Sequence, residues 1–520
     1  MEPCKKVIGC DFELANSLER NGRADAHVSE AAKLLLDEIS GYPRERGWGG
    51  SYLEWGRRFL EGNGGSAYID SDHLEINLPE HSRAADHAAV LHAGLRIARA
   101  AQVAAQAKLT RGRLSVLAAV SDGHQSWGHH LNVMVRRQLF DDMFTRKPHL
   151  IGFFGTHLAT ASVFAGHGHV GPSNKRPACD YQLSQRADWF EELLGHQTTH
   201  QRPLLNLRDE AHAGRGLARM HIIAFDNVLC PVANFLKAGT TQLVLAMAEA
   251  GWADPAAQLD DPLAAFAEVS RDLTLRQPLP LVGRGRQHTA VEVQRRLADL
   301  AGEFVASGEC GDAVPDAGRI VTVWHETLDR LARRDLDALA GRCDWVLKYL
   351  LLDRFRGRRG LSWSSPDMKC LDLLFSSLDP QEGLFWQMAG AGQVEEMLTT
   401  ETIERFVAEP PDDTRAYLRA HALRRFGEHV ATLNWDRIRF RVQSARYWWA
   451  ETVLSMPDPS RLGREESEPL LAKSATLAEL IEAVGTDPEP EPYCGSSWRG
   501  DSWASSPGGW SGGWGRSSSW

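Results

Sequence analysis

Val7-Ile8-Gly9-Cys10-Asp11-Phe12-Glu13-Leu14 opens on small and apolar residues and then alternates acid with apolar side chains. An extended chain sends successive side chains to opposite faces, so Asp11 and Glu13 share one face of a strand, and Phe12 and Leu14 the other. A second strand region, Ala67 to Glu80, carries Asp70, Asp72, His73, Glu75 and Glu80. Magnesium takes several oxygen ligands in near-octahedral geometry, and carboxylates on neighbouring strands facing one concave side can supply them. A solvent-facing polar sheet face is the alternative, and spacing alone does not decide between the two.

Around these strands the periodicity predicts helices over Ser29–Ile39, Ala84–Leu109 and Asn132–Phe144, a buried strand over Leu114–Val120 and another over Met220–Asp226. Gly41 to Gly65 reads as a long loop. An apolar helix is expected from about Phe235 to Ala250, and after residue 288 the pattern turns helical, with 3.6-residue apolar periods over Val291–Val305 and Val321–Arg356. Strands in the first half and helices in the second favour an α+β layout over alternating βαβ units. Residues 1–400 are expected to form a large domain and 401–455 a small C-terminal one. A linker over 456–494 and a disordered Gly/Ser/Trp tail over 495–520 would complete the chain. The tail holds Trp498, Trp503, Trp510, Trp514 and Trp520, which could anchor a partner or have no selected role.

The 520 residues are 43% apolar and 24% charged, with a net charge of −10 and a pI near 6.1. These values suit a soluble globular protein and exclude collagen-like, coiled-coil and wholly disordered chains. No overall basic excess exists to hold a nucleic-acid backbone. No apolar run is long enough for a membrane span, and the N-terminus is too short of apolar residues for a signal peptide. Eight scattered cysteines without a C-x-x-C pair point to a reduced, cytoplasmic protein without a thiolate zinc site.

Arg202, Arg208, Arg215 and Arg219 cluster in one stretch. Guanidinium forks recognise phosphate and carboxylate, although Asp209 and Glu210 could equally make this a surface ion-pair network. His124, His129, His130, His167 and His169 lack zinc-site spacing and are expected to line a polar site. No P-loop, G-x-G-x-x-G or G-x-S-x-G motif is present.

Together these segments resemble the Pup ligase/Pup deamidase family, whose members handle the prokaryotic ubiquitin-like protein Pup on a fold related to glutamine synthetase. Asp11-Phe12-Glu13 sits in an I-G-x-E-x-E-like strand. Tyr68 to Glu80 is similar, without gaps, to Y-x-D-x-x-H-P-E-x-x-x-P-E. Ser126 to Asn132 resembles S-Y-G-x-H-E-N, Leu183-Ser184-Gln185-Arg186 the L-S-Q-R segment, and Asn206 to His212 N-T-R-D-E-P-H. Asp344-Trp345, Ser362-Trp363-Ser364 and Pro410 to Tyr417 continue the likeness, which spans roughly residues 7–450 and is strongest to the deamidase/depupylase branch.

The resemblance implies a curved antiparallel sheet cradling ATP and magnesium, with Asp11, Glu13, Glu75 and Glu80 as metal carboxylates and Asp70 as the catalytic aspartate. It further implies that Arg202, Arg208 and Arg219 hold phosphates or substrate carboxylate, that His130 lines the nucleotide pocket, and that the partner is a Pup-like protein or a pupylated one. The implied activity is an amidase or isopeptidase, with a carboxylate–amine ligase and a weakened nucleotide-binding adaptor as alternatives. The sequence departs from the family at Asp11 (Glu), Leu74 (Pro), Leu131 (Glu) and Val228 (Asn). Leu131 is expected to remove a carboxylate from the pocket.

Overall fold

The computed structural model describes residues 2–20, 23–24, 28–43, 54–255, 258–283, 285–442 and 450–485. A large, mostly antiparallel sheet runs through the first half. Its strands are β1 (Ile8–Arg20), β2 (Glu54–Phe59), β3 (Ser66–Asp70), β4 (His73–Asn77), β5 (Arg113–Leu117), β6 (His129–Arg136), β7 (Phe190–Gly195), β8 (Arg202–Asn206) and β9 (Leu217–Ile222). The order across it is β7-β8-β9-β6-β1-β4-β3-β2, extended by Tyr42–Pro43, while β5 and Arg23–Ala24 pair with β1. Among the described strands only β7 and β8 run parallel.

β1 is the spine because its alternation is clean. Ile8, Cys10, Phe12 and Leu14 are buried in the main core, and Asp11 and Glu13 point the other way. Helix α1 (Ala84–Lys108) covers the apolar face. It approaches closely at Gly94, where a Cβ would stand 2.9 Å from Leu78 and 3.0 Å from Phe12. Helix α2 (Pro231–Ala250) is buried nearly all round, its polar residues Lys237 and Gln242 included.

Four expectations change. The segment read as a helix from Asn132 is strand as far as Arg136, and helix begins only at Arg137. His130–Val133 alternates polar with apolar residues, and pairing to β1 and β9 holds the segment extended. The loop expected over Gly41–Gly65 contains β2. The helical run Val321–Arg356 divides into Ala317–Arg333, Leu336–Leu339 and Asp344–Arg359, with Arg334 in a left-handed conformation.

The fourth concerns the C-terminal part. Helix α3 (Ala416–Phe426) leads into a three-stranded sheet of Val430–Asn434, Arg437–Val442 and Ala450–Ser455. Two further helices, Arg464–Lys473 and Leu477–Val484, occupy what was read as linker; Thr476 and Glu479 close a capping box at the start of the second. These elements share a second core with Leu418, Leu454, Leu480 and, from β2, Phe59. Residues 1–486 form one compact unit, so the boundary expected at 400 is not a break in packing. The tryptophan tail lies outside the described residues. No described helix is long and apolar enough to cross a membrane.

Candidate functional site

The site grows from cross-strand register. Glu13 on β1 stands directly opposite Glu75 on β4, and Tyr68 on β3 is the other neighbour of Glu75. Asp70 ends β3, just before the tight turn in which Ser71 takes a positive φ. One ligand atom each from Glu13, Asp70 and Glu75 lies within 4.8 Å of the others. Like charges facing each other across strands repel. Burial, followed by the charge of Asp70, pushes Glu13 up to about 8. Burial, with Asp11, Glu13 and Asp70 behind it, raises Glu75 well above the carboxylate range. A cation among the three would relieve that repulsion.

Asp11 is set apart from this trio. Burial opposes its charge, but His130, with Nδ1 2.7 Å from Oδ1, together with Arg219 and Asn132 holds its pKa below the usual value. Asn132 donates to the other Asp11 oxygen at 3.0 Å and itself pairs with His221 Nδ1 at 2.7 Å. Asn132 and His221 were not among the expected site residues. Their signal was available in period two, since both neighbour Asp11 or His130 on the same sheet face.

These groups line a cavity of about 620 Å³ that also contains Arg202, Arg208 and Arg219. Arg202, at the start of β8, donates to Thr198 O at 2.7 Å and Ser126 O at 2.6 Å, and its guanidinium lies over Trp189. Arg219 is 3.3 Å from Glu210, and burial lowers its pKa. Arg208 is the most open, 3.6 Å from the same glutamate. The cluster therefore makes an ion-pair network with Glu210 and a basic cavity wall at once.

Glu80 also lines this cavity but stands apart from the carboxylate trio. Arg415 Nε lies 2.9 Å from Oε1, and Arg419 bonds to both oxygens. Burial resists its ionisation, yet Arg419 and Arg415 bring its pKa down to about 2. Its oxygens are thus committed to two arginines of the C-terminal part, outside the carboxylate trio. Arg415, which also lines the cavity, was missed by sequence reading even though it lies in the family-like Pro410–Tyr417 stretch.

Three of the four departures fall on the core side, Asp11 being the exception. Leu131 is fully buried opposite Cys10, and Leu74 and Val228 are equally buried. The expectation that Leu131 strips a carboxylate from the pocket is therefore corrected: it faces the apolar layer behind the sheet. The histidines divide as well. His124 and His130 face the cavity, whereas His129, His167 and His169 are buried beside Lys237, Asp344 and Asp372. Behind the wall, Asp226 accepts from Ser184 Oγ at 2.9 Å and from the Gln185 amide at 3.0 Å. Those bonds fix the turn carrying Arg186, which donates to Trp127 O and which burial, followed by Arg202, lowers to about 9.

A protein-family model described as Pup-ligase protein matches residues 12–439. The depupylase of Acidothermus cellulolyticus is 32% identical over 488 residues, covering 93% of this chain and 92% of that protein. The Pup–protein ligase of Acidimicrobium ferrooxidans is 33% identical, covering 85% and 94%. A crystal structure of Pup with its ligase PafA superposes with a TM-score of 0.75 at 25% identity, covering 92% of both chains. PafA in complex with ADP gives 0.68 at 27% identity, covering 82% of this chain and 89% of that one. A mixed α+β architecture built on one large sheet and a match running through most of the chain converge on one assignment: the chain belongs to the Pup-ligase family.

Proposed function

We propose that this chain is an ATP- and magnesium-dependent amidase or isopeptidase acting on a side-chain amide at the C-terminus of a Pup-like protein. The observation that carries the reading is the convergence of Glu13, Asp70 and Glu75 on one face of the sheet, inside an arginine-walled cavity. Glu13 and Glu75 would hold the cation, which would supply positive charge to nucleotide phosphates and keep neighbouring carboxylates ionised. Arg202, Arg208 and Arg219 would bind phosphate or substrate carboxylate. Asp70, at the strand end, is the nucleophile or the base that takes a proton from water. Either route breaks the amide C–N bond, leaving a glutamate side chain and releasing ammonia or the lysine amine. Asp11 fits a positioning role, since His130 and Asn132 already occupy its oxygens.

The test is Asp70→Asn, assayed on Pup carrying a C-terminal glutamine and on a pupylated protein. Turnover falls to background while nucleotide binding and folding persist. Retained turnover in this variant refutes the assignment.

Ligation is the second reading, favoured by the 33% identity to a Pup–protein ligase, level with that to the Mycobacterium tuberculosis Pup deamidase/depupylase. Release of ADP and phosphate in proportion to a newly formed isopeptide selects it.

A further inference from the structure

Arg57 lies on β2, two strands away from Glu75, and belongs to none of the motifs that carry the family likeness. It is buried and lines the same cavity. Its Nη1 donates to Asn77 Oδ1 at 2.5 Å and to Ser66 Oγ at 3.0 Å. Ser66 Oγ donates to the same Asn77 oxygen at 2.9 Å. Asn77 Nδ2 in turn donates to Glu75 Oε1 at 2.9 Å.

The direction of this chain follows from donor chemistry. A guanidinium has donors only, so the atom Asn77 turns toward Arg57 must be its carbonyl oxygen. The amide nitrogen then has to face Glu75, as a donor. Arg57 and Ser66 hold that carbonyl oxygen together, and Arg57 is the charged donor of the two, so its loss loosens the orientation of the Asn77 amide at Glu75. Arg57 also spreads over the Tyr68 ring, 3.9 Å from its centre, and Tyr68 is the cross-strand neighbour of Glu75. Both flanks of Glu75 are therefore set by one arginine.

We infer that Arg57 is a positioning residue for Glu75: it fixes the Asn77 amide so that Glu75 keeps its orientation toward a divalent cation held with Glu13 and Asp70. The inference rests on the cation reading given above. It adds a residue whose effect passes through Asn77 and not through contact with substrate or metal. Partners one layer behind metal ligands commonly set metal affinity by roughly 10–100-fold.

The experiment is calorimetric titration of magnesium into the full-length protein saturated with a nonhydrolysable ATP analogue, which needs no turnover. Arg57→Met and Asn77→Leu should each weaken magnesium binding at least about tenfold. The double variant should be no weaker than either single one, because both cut the same chain. Arg57→Lys, which keeps a donor for Asn77, should recover part of the loss. Thermal unfolding without magnesium separates this from general damage: a merely structural arginine lowers stability and leaves magnesium affinity untouched. Unchanged magnesium affinity in Arg57→Met, or fully additive losses in the double variant, overturns the inference alone. No magnesium-dependent binding in the wild type overturns the cation reading and the inference with it.

Discussion

Replacing Glu80 by Gln tests what this carboxylate does. Glu80 is 7% exposed and clasped by Arg415 and Arg419. Its pKa falls from 4.5 to about 2 on folding, which corresponds to about 3 kcal/mol of stability at neutral pH. Arg415 gives the other side of the account. Burial lowers its pKa despite the nearby Glu80, so the pair is not a gain for both partners. Loss of the carboxylate nevertheless leaves two buried guanidiniums uncompensated, and breaking such a pair costs about 3–5 kcal/mol. We therefore expect Glu80→Gln to lose about 3 kcal/mol at pH 7. Because the folded pKa lies below the unfolded one, the contribution is complete above about pH 4.5 and disappears as pH falls toward 2. Urea unfolding of both proteins at pH 7, 4.5 and 3 measures the gap, which should narrow only in the acid range. A gap below about 1 kcal/mol at pH 7 would place the clasp with ordinary surface pairs and refute the argument. A pH-independent gap would refute the electrostatic part. If Glu80 served as a metal ligand instead, the variant would lose magnesium affinity with little change in metal-free stability.

Two more predictions follow from groups behind the sheet. Burial lowers Lys237 from 10.5 to about 8, so the unfolded chain holds the proton more tightly between those values, and stability linked to this residue rises with pH there. The stability of the wild type relative to Lys237→Met should accordingly be level below about pH 8 and rise between pH 8 and 10.5; a constant difference across that range counts against this account. Leu131→Glu restores the family-like residue but buries a carboxylate in the apolar layer. Denaturant melts should show a loss of about 1–3 kcal/mol or more without a gain in turnover, and an increase in turnover would mean that the side chain reaches the cavity.

The acid-bearing strands were legible because period two is a local signal. Asp11 and Glu13 could be assigned to one strand face from their neighbours in the chain, whereas Glu75 joined them only through the family resemblance. Register was not legible, and register is what distinguishes Glu75 from Glu80. The first faces Glu13; the second meets arginines more than three hundred residues away in sequence, a pairing that no local pattern announces. Arg57 escaped for a related reason. Its strand lies in a stretch rich in glycine and tryptophan, and its partners Ser66 and Asn77 come from two different strands. Leu131 was misplaced because a motif comparison reports which residue changed and not which way it points. The helices past residue 456 were obscured by a change in composition that resembled a linker, although Thr476 and Glu479 formed a start signal.

Phe59 sits in the C-terminal core although its strand belongs to the large sheet. A ribosome delivers these partners far apart in time. While β2 and β4 emerge, neither the second core nor Arg415 and Arg419 has yet been made, so the newborn sheet holds an exposed phenylalanine and an unclasped Glu80. Phe59 and Glu80 gain their partners only when the chain from Arg415 to the last helices has been made, so this corner of the sheet is completed late in synthesis.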